Sequence, residues 1–219
     1  MSTRHLGLAA GLAGCFMVLA AAVTSADPAY EQTYEQTARI VLDVVKAFRT
    51  AYVLHVVEHT RGAGPEPRED WERDAHFIPL PAQFVKAAAG QVMSVEIGLI
   101  SLTPINPANR PRTPAETKAL IQLEKDRQQS FLSFADGDHF TAVSADLALV
   151  RSCVECHNQH PQSARKNFRE WDVMGGLVVR FRRPASTPGL PLPPEPSPRP
   201  SDLFEQPVAP PPATPPWVR

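Results

Sequence analysis

A chain of 219 residues with a net charge of −1 has no basic field, which excludes nucleic acid as a partner recognised through bulk charge. Its 3 cysteines, one of them near the N-terminus, exclude a disulfide framework. With 43% apolar residues the chain can build a hydrophobic core, and by length that core belongs to a single domain.

The N-terminus reads as a leader. Arg4 and His5 make a short basic start, Leu6 to Val23 carries no charge, and Thr24-Ser25-Ala26 puts small residues where a signal peptidase reads. Cleavage after Ala26 is expected, which makes residues 1–26 a signal peptide and the protein periplasmic or secreted. Two alternatives stay open. Leu12-Ala13-Gly14-Cys15 matches a lipoprotein box with Cys15 as the lipidated residue, and the 18-residue apolar run is just long enough to remain as a membrane anchor. Membrane association is expected only in those two cases.

From Tyr30 to Glu58 the chain lacks Gly and Pro and predicts one long helix. Ile40, Val41, Val44, Val45, Phe48, Tyr52 and Val56 recur at steps of three and four, giving it an apolar face. His55 and His59 lie on one side near its C-terminal end, and Gly62-Ala63-Gly64-Pro65 should stop it. Glu66 to Asp74 reads as a charged loop, and His76-Phe77-Ile78-Pro79-Leu80-Pro81 as an extended run that proline keeps out of a helix. A short helix over Ala82 to Ala89 closes at Gly90, and Val92 to Leu102 reads as a strand. The four prolines between Thr103 and Pro114 require a loop. Ala115 to Gln129 is a second amphipathic helix, capped by Thr113 with Glu116 completing a capping box. Ser130 to Ala135 and Asp138 to Ala145 predict a hairpin turning at Asp136-Gly137, and Met174 to Phe181 a last strand. Beyond Arg183 the composition changes: 14 of the 24 prolines fall between Pro184 and Pro216, so residues 184–219 should form a disordered tail. The folded part is then residues 27–183, an α+β domain with an antiparallel sheet.

The most specific pattern is Cys153-Val154-Glu155-Cys156-His157, continued by Asn158-Gln159-His160-Pro161. Two thiols three residues apart with a histidine after the second have the spacing of a c-type haem attachment site. Each thiol adds to one vinyl group at the porphyrin edge, and the chain direction then carries the imidazole of His157 under the ring as proximal ligand. A structural zinc site needs four ligands, and the remaining cysteine, Cys15, is in the leader. A thioredoxin-type pair requires a βαβ context that is not visible, and a Cys153–Cys156 disulfide would close a tiny loop of little stabilising value.

With these motifs in place the chain resembles the secreted haem-c-binding domain family with a PAS-like fold, which also supplies sensor modules to histidine kinases and nucleotide cyclases. The resemblance rests on Cys153 to Pro161 and on Trp171-Asp172-Val173-Met174-Gly175-Gly176-Leu177-Val178-Val179. Ile78-Pro79-Leu80-Pro81-Ala82-Gln83-Phe84-Val85 and Asn106-Pro107-Ala108-Asn109 fit as well, and the coverage is about Tyr34 to Phe181. It implies a PAS-like antiparallel sheet with a long N-terminal helix and flanking helices, one covalent haem c, and a redox or sensing role.

The sixth position on iron has seven candidates: His55, His59, His76, His139, His160, Met93 and Met174. His160 is close to His157 in sequence and reads as a loop hydrogen-bonder. His139 sits at a turn, and the two methionines read as core filler on strands. His76 adjoins an apolar run that could line a pocket. The long helix offers a rigid base, so His55 is the expected ligand and His59 the reserve. Either gives a six-coordinate haem suited to electron transfer with a redox partner protein, which is the leading expectation. An open position would instead favour a periplasmic redox or diatomic-gas sensor acting through a separate partner. No distal His–Arg pair stands at a telling spacing, so no enzymatic activity is expected.

Overall fold

The structure is a computed structural model and describes residues 28–183. The expected leader at 1–26 and the proline-rich tail at 184–219 lie outside the described residues.

Helix α1 spans Pro28–Tyr52, with proline at a position whose N–H needs no partner. It runs on through a π-helical turn at Val53–Val57 and ends as α2, Glu58–Thr60. The rod is long because no glycine or proline interrupts it, and Glu35 and Arg39 pair across one turn at 2.7 Å. Its buried face differs from the expected one. Ala38, Leu42, Arg49, Val53 and Val57 are buried, whereas Ile40, Val44 and Phe48 are exposed, Phe48 by 66%. Val41, Val45 and Tyr52 of the expected face do pack inward, but an alanine and an arginine take buried positions beside them, so counting large apolar residues finds only part of the stripe.

A pair of short strands follows, β1 at Glu66–Arg68 and β2 at Phe77–Pro79, joined in parallel. The expected charged loop thus contributes a strand. Helix α3 covers Pro81–Ala89, and β3 is confined to Glu96–Ile100. Helix α4 runs over Pro114–Lys125, shorter than expected. Thr113 Oγ1 accepts from the Glu116 N–H at 3.1 Å, but Glu116 Oε2 accepts from the N–H of Arg112 at 2.7 Å, so only half of a capping box forms. The other oxygen of Glu116 meets Arg180 at 2.6 Å, and Glu116 is fully buried. Strands β4, Phe131–Asp136, and β5, His139–Leu147, form the hairpin across Gly137-Asp138, with Gly137 at φ 62°. Helix α5, Arg151–Gln159, holds the cysteine motif, and β6, Val173–Arg182, closes the domain.

The fold is α+β, with an antiparallel sheet of four strands in the order β3-β6-β5-β4 and a long N-terminal helix. Period-two alternation divides its central strands between two layers. Phe140 and Ala142 of β5 with Leu177 and Val179 of β6 meet Ala38 and Leu42 of α1 and Val85 of α3. Val143, Ala145 and Val178 face the other way, against Ala119, Leu120 and Leu123 of α4. Close strand approach needs Gly175 and Gly176, since a Cβ at Gly175 would lie 2.4 Å from the Ile100 carbonyl oxygen and one at Gly176 2.4 Å from Val143 Cγ1. At Asp146/Leu147 the β5–β6 register shifts, and the chain turns off the sheet into α5.

Candidate functional site

Helix α5 puts Cys153, Cys156 and His157 on one face, because residues three and four apart are helical neighbours. All three line a cavity of about 580 Å³, within the range of small-molecule and cofactor pockets. The two thiols are unpaired, Cys153 half-buried and Cys156 exposed. His157 Nδ1 lies 3.0 Å from the carbonyl oxygen of Cys153. A carbonyl only accepts, so Nδ1 carries the proton and Nε2 keeps a free lone pair. Desolvation lowers the pKa of the imidazole below the ordinary histidine range, which favours this neutral ligating form.

The ring is steadied from the side. Phe168 meets His157 edge-on with centroids 5.9 Å apart. Asn158 holds Phe168 by both backbone groups: its Nδ2 donates to the Phe168 carbonyl at 3.0 Å, and its Oδ1 accepts from the Phe168 N–H at 2.9 Å. Asp172 then ties the loop, accepting from Arg127 at 2.8 Å, from Arg165 at 2.9 Å and from the Arg169 N–H at 3.0 Å.

These features fit a covalently held porphyrin. Two thiols on one helical turn, an imidazole with a committed Nδ1–H, and a wall rich in apolar side chains are what the attachment chemistry needs. Among the described residues no three His, Cys, Asp or Glu side chains converge on a bare metal ion.

The expected distal ligands do not stand together with the motif. His55 and His59 are exposed and do not line the cavity. The rod presents Arg49, Val53 and Val57 to it, a face about half a turn away from His55. His76 is exposed and pairs with Asp74 at 2.9 Å, and His139 pairs with Asp138 at 2.7 Å beside the hairpin turn. Met93 is 95% exposed and precedes β3 rather than lying in it. His160 and Met174 do reach the cavity wall. His160 is engaged in the loop, with Nδ1 accepting from Gln162 N–H at 3.2 Å and Nε2 lying 3.5 Å from Glu69 Oε1. Met174 is buried among Ala148, Phe168 and Cys153.

Sequence reasoning missed Arg49 and Asp146. Both line the cavity, with Nη1 of the arginine 3.0 Å from Oδ1 of the aspartate. The available signal was a charge standing four residues before Val53 and seven after Leu42, in step with the apolar positions of the helix.

A family model described as Tll0287-like, Tll0287, matches residues 27–182. The chain belongs to the Tll0287-like family. Among solved structures it is similar to one described as the crystal structure of the cyanobacterial heme-protein Tll0287. The identity is 17% over 74% of this chain and 100% of that one, with a TM-score of 0.48. No curated protein matches. In this Tll0287-like chain the four stretches that carry the sequence resemblance meet at one place. Leu80 to Gln83, Asn106 with Pro107, Cys153 with Cys156 and His157, and Met174 with Gly175 all contribute to the cavity wall.

Proposed function

We propose that this chain is an exported, mono-haem c-type protein that senses redox state or a small ligand, with Cys153 and Cys156 forming the thioethers and His157 the proximal ligand. The observation that carries the reading is the His157–Cys153 hydrogen bond, which commits Nδ1–H and leaves Nε2 for iron. When bound, the haem supplies one-electron chemistry and a coordination position for a ligand.

Sensing is favoured over simple electron carriage by what the long rod brings to the cavity. Arg49, Val53 and Val57 offer no ligand atom, while His55 and His59 stand outside the cavity. The role is binding and redox response rather than turnover, and the signal passes to a separate partner protein. Electron transfer is the second reading. It draws on Met174 and His160, which share the cavity with His157 and carry donor atoms for a sixth bond.

The test is protein made with cytochrome maturation machinery, read by mass and by absorption with and without carbon monoxide. One added haem that survives acid–acetone extraction is expected, with a carbon-monoxide-reactive ferrous form. Spectra of His55→Ala and His59→Ala should match that of the parent. Complete extraction of the haem overturns the covalent assignment. A low-spin ferrous haem inert to carbon monoxide, becoming reactive in Met174→Ala or His160→Ala, establishes the electron-transfer reading instead.

A further inference from the structure

We propose that the outward face of α1 is an interaction surface for a second copy of this chain, the two rods packing antiparallel about a two-fold axis. Thr37, Ile40, Val44, Ala47, Ala51 and Leu54 recur in alternating steps of three and four, and all six are exposed. Ile40 is 66% exposed and Leu54 41%, and Phe48, at the border of the same stripe, is 66% exposed. Thr37 donates its hydroxyl to the Thr33 carbonyl at 2.8 Å, which ties that donor to the rod itself. At about 100° per residue the stripe lies nearly opposite Leu42 and Arg49, which are buried. A surface helix ordinarily buries one apolar stripe and turns polar residues outward, whereas α1 carries a second stripe on its open side.

The pattern of the stripe narrows what covers it. A repeat of about 3.5 residues is the seam of paired helices, in which each side chain enters a hole on the facing helix. Its large and small members are arranged so that one copy fits another running in reverse. Ile40 then faces Ala51, Val44 faces Ala47 and Thr37 faces Leu54, and a two-fold axis makes each contact twice. Parallel pairing would set Ala47 on Ala47 and Ala51 on Ala51, leaving voids between the larger layers. The borders agree. Reversed rods bring Phe48 over Val41 and Asp43 beside Thr50 of the other copy, whereas parallel rods press the Asp43 carboxylate against Phe48. The stripe exposes on the order of 400 Å² of apolar surface, as much as a monomer ordinarily shows in one patch. With its polar borders, a pair would bury about 1,000 Å², enough for a specific interface. A net charge of −1 sets little repulsion between copies.

The experiment is sedimentation equilibrium of the haem-loaded protein over roughly 1 to 100 μM, the range in which an interface of this size associates. A reversible dimer is expected. Val44→Glu should weaken association by about a hundredfold or more, because each copy would carry a carboxylate into the seam, while far-UV circular dichroism and the absorption spectrum match those of the parent. Ala47→Lys should weaken it as well. A one-to-one mixture of these two variants should recover the dimer, since position 44 of one copy faces position 47 of the other. Met93→Glu, at a 95% exposed position outside the rod, should leave association unchanged. A dimer that survives Val44→Glu uses another surface and overturns the proposal. A loss that the mixture does not recover overturns the antiparallel arrangement. A monomer at every concentration overturns the proposal too, and two measurements then identify the cover. Truncation after Arg183 that creates a dimer assigns the stripe to residues 184–219. Cosedimentation with phosphatidylcholine–phosphatidylglycerol vesicles, lost in Val44→Glu, assigns it to a lipid surface.

Discussion

Asn158 holds Phe168 as a backbone mimic would, donating to its carbonyl and accepting from its N–H, and so fixes the ring that abuts His157. A residue on the motif helix thereby sets the far side of a loop ten residues on. Asn158→Ala removes both bonds and leaves two backbone groups of a buried residue unmet. The expected loss is about 1–3 kcal/mol by chemical denaturation. Asn158→Asp should be no milder, because a carboxylate faces the Phe168 carbonyl where an amide donor stood. Wild-type stability in Asn158→Ala would mean that the loop is held without this clamp.

Glycine in β6 admits a second test. A methyl group at Gly175 meets the backbone of β3, with Ile100 oxygen at 2.4 Å, and backbone cannot rotate away. At Gly98 the nearest atom, Val178 Cγ1, is 3.5 Å off, an ordinary contact. Gly175→Ala should therefore cost about 1–3 kcal/mol in thermal or urea unfolding, and Gly98→Ala much less. Equal losses at both positions would contradict the strand spacing.

Glu116 and Arg180 form a buried pair between α4 and β6 at 2.6 Å. Removing Glu116 leaves the buried Arg180 with only the partly exposed Glu96, 3.1 Å from its Nη1, so Glu116→Ala should destabilise by about 2–4 kcal/mol. Part of that loss comes from the Arg112 N–H, which Glu116 also accepts. The double variant Glu116→Leu with Arg180→Met should be more stable than Glu116→Ala alone. Additive losses across that double-variant cycle would show that the pair is not coupled.

Glu155, between the two cysteines, is held below the ordinary carboxylate range, first by its hydrogen bond with Arg61 and then by that with Arg151. A depressed native pKa means that the unfolded chain binds the proton more readily. The stabilisation is present above the unfolded value of about 4.3 and fades as pH falls through the lower native value. Thermal melts should place Glu155→Gln below the parent at pH 7, with the gap closing in acid. A gap that widens on acidification would reverse the sign of this argument.

The cysteine motif, the hairpin at Gly137, the last strand and the α+β class were all legible in the sequence. Each depends on local chemistry: thiol spacing for a cofactor edge, positive φ for a tight turn, a short apolar, β-branched run for a buried strand. The family resemblance was legible for the same reason, since it rides on short contiguous stretches.

What the sequence did not determine was the face of α1. Ile40, Val44 and Phe48 mark an apolar stripe that the fold leaves exposed, while Ala38 and Arg49 are buried. Helical periodicity says which residues share a side, and packing alone says which side meets the sheet. The small Ala38 lets α1 lie against Leu177 and Val179, and Asp146, carried over by the strand pairing, supplies the charge that makes a buried Arg49 tolerable. That choice turns His55 and His59 outward and Arg49 inward. The sequence by itself therefore determined where the Cys153–His157 motif stands, and the tertiary structure decided which side chains stand beside it. The motif residues are neighbours on one helical turn, whereas those around them come from strands and helices that only long-range packing brings together.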